Sequence, residues 1–154
     1  LPVATPSPGT TVAVGDMQLT VVWPQRIIAA GSVPNNASLG LIVIAPQGRA
    51  VFLGDIEPEA QRALLANYDV HADIVKVPHH GSAQFIPDLA GRVRADIALV
   101  GVGAGNPFGH PAPQAVAAWQ QAGARGFTTE DNGDIAITDA REVVIRGPEQ
   151  SPLG

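Results

Sequence analysis

The sequence predicts an α/β fold in which a mixed sheet is flanked by helices, and three observations support this prediction. Strand-like and helix-like segments alternate from residue 38 to residue 128, which is typical of a parallel or mixed sheet. The length of 154 residues suits one domain with a core of its own. Apolar residues make up 45% of the chain and charged residues 15%, as in an ordinary globular protein.

The first third of the chain predicts strands. A polar and proline-containing stretch, 25–34, is expected to be a loop between the second and third of them. Pro24 stops the second strand, and Pro46-Gln47-Gly48 is a hairpin turn that joins the last two. The predicted strands are 12–15, 17–23, 39–45 and 50–53.

Helices and strands alternate in the middle of the chain. The first helix has Pro58 at its start and apolar residues along one face, so it should pack on the sheet. The predicted helices are 57–68, 85–92 and 113–122, and the predicted strands between them are 73–77 and 95–102. Three short strands should follow at 125–129, 134–138 and 142–145, with a hairpin turn at Asn132-Gly133.

Composition excludes several classes of protein. The chain has no cysteine, which rules out disulfides, thiolate metal sites and cysteine nucleophiles. Its net charge of −5 argues against nucleic-acid binding by bulk electrostatics, so any phosphate contact must be local. No apolar run approaches the roughly 18 residues that a membrane span requires, and no signal peptide is evident. There is no nucleophile elbow and no phosphate-binding glycine loop.

The chain starts at Leu1 and is proline-rich directly afterwards, so we expect it to be a piece of a longer protein. The domain boundaries predicted from this pattern are a loose start at 1–10, a folded domain at 11–146 and a loose tail at 147–154.

Polar residues follow two predicted strands that should be neighbours in a parallel sheet. Asp55 comes after strand 50–53, and His79 and His80 come after strand 73–77. Ligands in open α/β sheets bind at the carboxyl ends of the strands. Imidazole nitrogen and carboxylate oxygen suit Zn²⁺, Mn²⁺ or Fe²⁺, so the arrangement predicts a metal site. Taken singly, Asp55 could be a turn residue or helix N-cap, and the two histidines could lie in a surface loop.

The other two histidines differ in whether a predicted strand ends just before them. His110 follows the strand predicted at 95–102, in a loop of glycines and prolines, and is either a third ligand or a well-packed turn residue. His71 has no strand end beneath it and is expected to be exposed. Ser82 is a candidate helix N-cap or a hydrogen-bonding neighbour of a ligand.

Several of these stretches together resemble a known family. On the segments 35–39, 52–57, 72–82, 106–111 and 128–135, the chain resembles the carboxyl-terminal metallo-β-lactamase-like domain of ComEC-type DNA-internalisation competence proteins. The motifs Val-Pro-His-His-Gly-Ser and Gly-His-Pro, at this separation, are its most specific part. The resemblance extends from about residue 11 to residue 138.

The resemblance implies an αββα sandwich and a two-metal hydrolytic site that degrades one strand of incoming DNA. Carried over residue by residue, it implies catalytic metal ligands at Asp55, His79 or His80 (or both), and His110. It also implies substrate contacts at Lys76, Ser82 and Asn106. The implied cofactor is a divalent metal, Zn²⁺ or Mn²⁺. The implied partners are single-stranded DNA and the membrane channel of a parent protein, with this domain on the extracytoplasmic side.

The chain departs from the family pattern in its first half. The motif His-x-His-x-Asp-His is absent because no histidine precedes His71, and Asn36 stands near where many relatives have a histidine. We therefore expect the second half of the domain only, with an incomplete metal site and little activity by itself. The apolar sheet exposed by a half-domain makes a homodimer plausible. Two alternatives stay open: a non-catalytic DNA-binding or scaffold domain, and another hydrolase of the same superfamily.

Overall fold

The computed structural model describes residues 5–29 and 31–147. The ends predicted to be loose, 1–10 and 147–154, lie partly outside this range, since residues 1–4 and 148–154 are not described. The described strands are β1 (Thr11–Val14), β2 (Met17–Trp23), β3 (Gly40–Ala45), β4 (Gly48–Phe52), β5 (Ile74–Lys76), β6 (Ile97–Val100), β7 (Arg125–Thr128), β8 (Asp134–Ile137) and β9 (Val143–Arg146). The described helices are α1 (Val33–Asn36), α2 (Pro58–Asn67), α3 (Pro87–Val93), α4 (Pro113–Gln121) and α5 (Thr129–Asn132).

Seven strands form one mixed sheet, in the order β1-β2-β3-β4-β5-β6-β7, so the predicted fold class is confirmed. Strands β1 to β4 are antiparallel neighbours, and β4 to β7 are parallel. Among the residues that the structure describes, strands β8 and β9 pair only with each other. In the part of the chain that the structure describes, no helix is long and apolar enough to cross a membrane.

The core lies on one face of the sheet, beneath the helices. Inward residues of the central strands, including Val51, Val75 and Ala98, form one cluster with the helix residues Leu64 and Trp119. Gln61 of α2 is fully buried and ties the helix to the loop before α3. Its amide donates to the Ile56 carbonyl at 2.7 Å and accepts from the Ile86 N–H at 2.8 Å. Buried polar groups of this kind need such partners.

The opposite face of the sheet is apolar but only partly covered. The strand registers place Leu41, Phe52, Lys76, Leu99 and Phe127 in one row across this face. Phe52 is 41% exposed. At the β1–β2 end of the same face, Val12, Val14 and Met17 are 49%, 50% and 39% exposed.

Two local predictions were wrong. The segment 25–34 was expected to be a loop throughout, but a helical turn begins at Val33, with Pro34 in its first turn, where proline is tolerated. The predicted hairpin turn at Asn132-Gly133 is instead the end of helix α5. The Thr128 hydroxyl accepts from the Asp131 N–H at 3.0 Å and caps this helix, and Glu130 and Asp131 favour its positive end.

Candidate metal and substrate site

Three loops that follow neighbouring parallel strands meet at one edge of the sheet. The loop after β4 accepts a hydrogen bond at the Gly54 carbonyl from the His79 N–H, at 2.9 Å. The turn after β5 accepts another at the Gly81 carbonyl from the Ala112 N–H of the loop after β6, at 2.7 Å. Backbone bonds therefore fix the three segments that carry Asp55, His79 with His80, and His110.

The turn Pro78–Gly81 has an unusual backbone. His79 and His80 have φ angles of 47° and 54°, in the left-handed region, and Gly81 follows at 76°. Two consecutive non-glycine residues in this region are uncommon, and such strain tends to occur at functional sites. A Cβ on Gly81 would lie 2.7 Å from the Cβ of Pro111, so glycine is required for the two loops to approach this closely.

The four predicted ligands are brought together. His80 Nε2 lies 3.7 Å from Asp55 Oδ1, and its Nδ1 is 2.5 Å from the Gly101 carbonyl, to which it donates. The ring of His79 meets that of His110 edge to face, with the centroids 5.7 Å apart. The side chains that the sequence predicted to meet at this sheet edge therefore lie near one another in the structure.

Burial and neighbouring imidazoles both act on the pKa of His110. The pKa of His110 is lowered, first by desolvation and then by His79 and His80, while Asp55 opposes the shift. A neutral imidazole can offer a lone pair, which is the form that binds a metal or accepts a proton.

Lys76 lies at the end of β5, on the sheet face opposite the helices. Burial lowers the pKa of its ammonium group, and the charge of Asp55 partly opposes this. The Asp55 carboxylate and the Lys76 ammonium group are therefore close enough to interact. A positive charge at this position can contact an anionic group that approaches the cluster.

The other two predicted substrate residues are occupied by local hydrogen bonds. The Ser82 side chain is buried, and its hydroxyl accepts from the Gln84 N–H at 3.1 Å. The Asn106 amide donates to the His110 carbonyl at 2.6 Å and accepts from the His110 N–H at 3.2 Å. In the structure Asn106 shapes the loop that presents His110.

Asn36, at the position where many relatives of the resembled family have a histidine, is fully buried and fully bonded. Its side-chain oxygen accepts from the Glu57 N–H at 2.9 Å, and its amide nitrogen donates to Glu59 at 2.9 Å. Its carbonyl accepts from the indole of Trp23 at 2.6 Å. These bonds hold α1 against the start of α2.

Sequence reasoning missed two residues beside the cluster. Glu57 Oε1 lies 3.9 Å from His79 Nδ1, and Phe108 stacks near His110 with ring centroids 6.1 Å apart and an interplanar angle of 22°. The position of Glu57 carried a signal in the sequence, because it follows the predicted ligand Asp55 by two residues. Phe108 is 77% exposed, and nothing in its surrounding sequence distinguished it from an ordinary loop residue.

The donors suit a divalent metal in kind but do not complete a site. His79 Nδ1 and His110 Nδ1 are buried and have no hydrogen-bond partner among the described residues. Such unpartnered nitrogens are costly unless something binds them. However, within residues 5–29 and 31–147 no group of three or more His, Asp or Glu side chains is arranged to hold a metal ion.

Comparison with known proteins gives one relevant likeness. The chain is 28% identical over 133 residues to "ComE operon protein 3" of Bacillus subtilis (strain 168). This match covers 82% of the chain but only 16% of the relative, so the chain corresponds to a small part of that protein. No family model matches the chain. The likeness supports a relationship to ComEC-type competence proteins.

Proposed function

We propose that this chain is part of a metal-dependent phosphodiesterase domain that hydrolyses DNA during uptake. The observation that carries the proposal is the meeting of Asp55, His79, His80 and His110 at the carboxyl ends of three adjacent parallel strands. The 28% identity to ComE operon protein 3 supports DNA uptake as the process. The domain is of the metallo-β-lactamase type in this proposal, on the resemblance of its motifs.

The proposed cofactor is Zn²⁺ or Mn²⁺, held by Asp55 and the imidazoles together with ligands from outside this chain. No three of these side chains are arranged to hold a metal ion among the residues described, so this chain alone is a weak metal binder in the proposal. A divalent ion at such a site would supply Lewis-acid chemistry for phosphodiester hydrolysis.

The residues of the chain itself would bind and orient the DNA. Lys76 provides a local positive charge in a protein of net charge −5, where bulk attraction to phosphate is lacking. Phe108 presents an exposed ring beside a groove that is also lined by His80, Val102 and His110. An unpaired base can stack on such a ring, which favours single-stranded DNA as the substrate.

The proposed setting is a membrane protein whose channel passes DNA, with this domain on the extracytoplasmic side. The channel and the side both rest on the resemblance to ComEC-type proteins. A second copy of the chain is also a proposed partner, because the apolar sheet face around Phe52 is exposed.

The proposal is tested by metal binding and DNA cleavage in two polypeptides. One is the 154-residue chain, and the other also carries the sequence encoded upstream of Leu1. We expect weak Zn²⁺ and Mn²⁺ binding and little cleavage by the first. We expect tight binding and cleavage of single-stranded DNA by the second, lost in its Asp55→Asn and His110→Ala variants.

His71→Ala is the matched control, since His71 is exposed and outside the cluster. It should leave metal binding and cleavage unchanged. Strong cleavage by the 154-residue chain alone would contradict the incomplete site. Cleavage by the longer polypeptide that persists in His110→Ala would contradict the assignment of the cluster.

A non-catalytic DNA-binding or scaffold domain is the second candidate, and one observation favours it. Asn36 stands where a histidine ligand is common in the resembled family, and all its polar side-chain atoms serve packing between α1 and α2. Under this candidate, the longer polypeptide binds single-stranded DNA without added metal and does not cleave it.

A further inference from the structure

We infer that Glu57 is a positioning residue for His79: its carboxylate holds the proton on Nδ1 of the imidazole and leaves Nε2 as the nitrogen that acts at the site. The inference rests on the proposed function only in the use that it assigns to Nε2. The arrangement of Glu57 and His79 is independent of that function.

The first support is the direction of the imidazole. Nδ1 of His79 is buried, and the nearest charged group across from it is Oε1 of Glu57, at 3.9 Å. This distance exceeds a direct hydrogen bond. Catalytic hydrogen bonds are often long in the absence of ligand and tighten when the site is filled. A carboxylate that faces Nδ1 fixes the tautomer and the orientation of the ring.

The second support is that Glu57 is itself held in place. Its Oε1 accepts a hydrogen bond from Asn35 Nδ2 at 2.8 Å, and its backbone N–H donates to Asn36 Oδ1 at 2.9 Å. The side chains of Glu57 and His79 are 20% and 21% exposed, so solvent screens the pair only in part. A carboxylate fixed by its neighbours loses little freedom when it binds the imidazole.

The third support is that the Glu57 carboxylate is not engaged in capping its own helix. Glu57 occupies the N-cap position of α2, but its side chain makes no capping hydrogen bond. The neighbouring acid, Glu59, pairs with Asn36, and no histidine nitrogen lies within 4 Å of its carboxylate among the described residues. Glu59 is therefore a matched control on the same helix start.

The two adjacent histidines then present the same nitrogen and differ in the partner of Nδ1. His80 donates from Nδ1 to the Gly101 carbonyl and turns Nε2 toward Asp55. His79 would donate from Nδ1 to Glu57, and its Nε2 is left for the centre of the cluster. Both histidines therefore present Nε2, each with its Nδ1 fixed by a separate partner.

The test is the tautomer of His79, read from the nitrogen chemical shifts of its ring in the metal-free, ¹⁵N-labelled 154-residue chain at a pH where imidazoles are neutral. An unconstrained histidine in water favours the proton on Nε2. We expect His79 in the unmodified chain to carry the proton on Nδ1, and Glu57→Ala and Glu57→Met to shift it toward Nε2. Glu57→Gln, which keeps an oxygen acceptor, should retain the Nδ1 proton.

Glu59→Ala and Asn35→Ala serve as controls. The first should leave the His79 tautomer unchanged. The second removes the hydrogen bond from Asn35 to the Glu57 carboxylate, and it tests whether loss of that bond alone changes the tautomer as loss of the carboxylate does. Glu57→Met keeps the length of the side chain, so it provides the comparison if Glu57→Ala fails to fold. The inference is overturned if His79 carries its proton on Nε2 in the unmodified chain, or if folded Glu57→Met leaves the tautomer unchanged.

The result is separable from the proposed function. The tautomer is measured without metal or DNA. If His79 carries its proton on Nδ1 in a protein that does not cleave DNA, the pairing of Glu57 with His79 is supported and only the hydrolytic role is contradicted. Conversely, nuclease activity in the longer polypeptide with an Nε2 proton on His79 would refute the role of Glu57 and leave the hydrolase intact.

Discussion

His110 shows how a single side chain at the cluster responds to its surroundings. Its Nδ1 is buried without a partner, and its ring contacts both His79 and Phe108. Desolvation is the first cause of its lowered pKa, ahead of the charges of the neighbouring imidazoles. A site that keeps an imidazole neutral near pH 7 retains a lone pair for a ligand, at the cost of stability in acid.

The stability of the chain should fall in mild acid because of this residue. The folded-state pKa of His110 lies below its ordinary value of 6.5, so the unfolded chain binds more protons as the pH drops below 6.5. The free energy of unfolding should therefore decrease from about pH 6.5 downward, and this decrease should be smaller in His110→Asn. Urea denaturation at a series of pH values measures it.

His71→Asn is the control for this experiment, because His71 is an exposed histidine outside the cluster. Its pH dependence should match that of the unmodified chain. An unchanged pH profile in His110→Asn would show that desolvation of His110 has no influence on folding.

The backbone conformation of His80, more than its packing, should determine which residues are tolerated at this position. Its φ of 54° is tolerated by asparagine but strains a β-branched residue, at about 1–2 kcal/mol. We expect the free energy of unfolding of His80→Asn to stay close to that of the unmodified chain, and that of His80→Val to be lower by about 1–2 kcal/mol. Equal stabilities of the two variants in urea denaturation would argue against a left-handed backbone here.

At the level of secondary-structure elements, the site depends on how closely the loops after β5 and β6 approach each other. Ser38 and Gly54 show the same principle after β4, since a Cβ on Gly54 would lie 2.4 Å from the Cβ of Ser38. The Ser38 hydroxyl in turn accepts the Asp55 N–H at 3.0 Å. Glycine is required at these contacts, because any side chain would push apart the loops that carry the cluster.

Gly81→Ala should test this dependence directly. Its added methyl group would meet Pro111 at 2.7 Å in a residue with positive φ, so we expect a loss of about 1–3 kcal/mol in the free energy of unfolding. Gly105→Ala is the matched control, because Gly105 also has positive φ but has open space around it. It should cost only about 1 kcal/mol, from backbone strain.

The whole molecule is asymmetric, with its core on one face of the sheet and exposed apolar residues on the other. The exposed residues include Val12, Val14, Met17 and Phe52, and they continue toward Lys76 at the candidate site. Contiguous apolar surface of this kind marks an interaction surface. In the proposed parent protein, a second copy or the upstream sequence would cover it.

The 154-residue chain should therefore self-associate as its concentration rises. Phe52→Glu places a charge on the exposed face and should shift sedimentation-velocity profiles toward the monomer. Ile27→Glu is the control, since Ile27 is 93% exposed and lies outside the sheet. A chain that stays monomeric at high concentration, or an equal effect of both variants, would argue against association through this face.

The sequence by itself determined the fold class and the residues that meet at the cluster. Alternating apolar segments specify the strands, and polar residues that follow neighbouring parallel strands must lie at the same sheet edge. Asp55, His79, His80 and His110 were identified on that basis, and the structure brings them together. Periodicity is a local property of the chain, so it can be read without coordinates.

Only the tertiary structure decided what those residues face. The role of Glu57 depends on a distance to His79, 22 positions later in the chain, and the exposure of Phe108 depends on the path of a glycine-rich loop. By contrast, the helical turn of α5 replaced a predicted hairpin through a local contact, because the Thr128 hydroxyl accepts from the Asp131 N–H and caps the helix. Contacts between distant segments arise from packing, which no local pattern encodes.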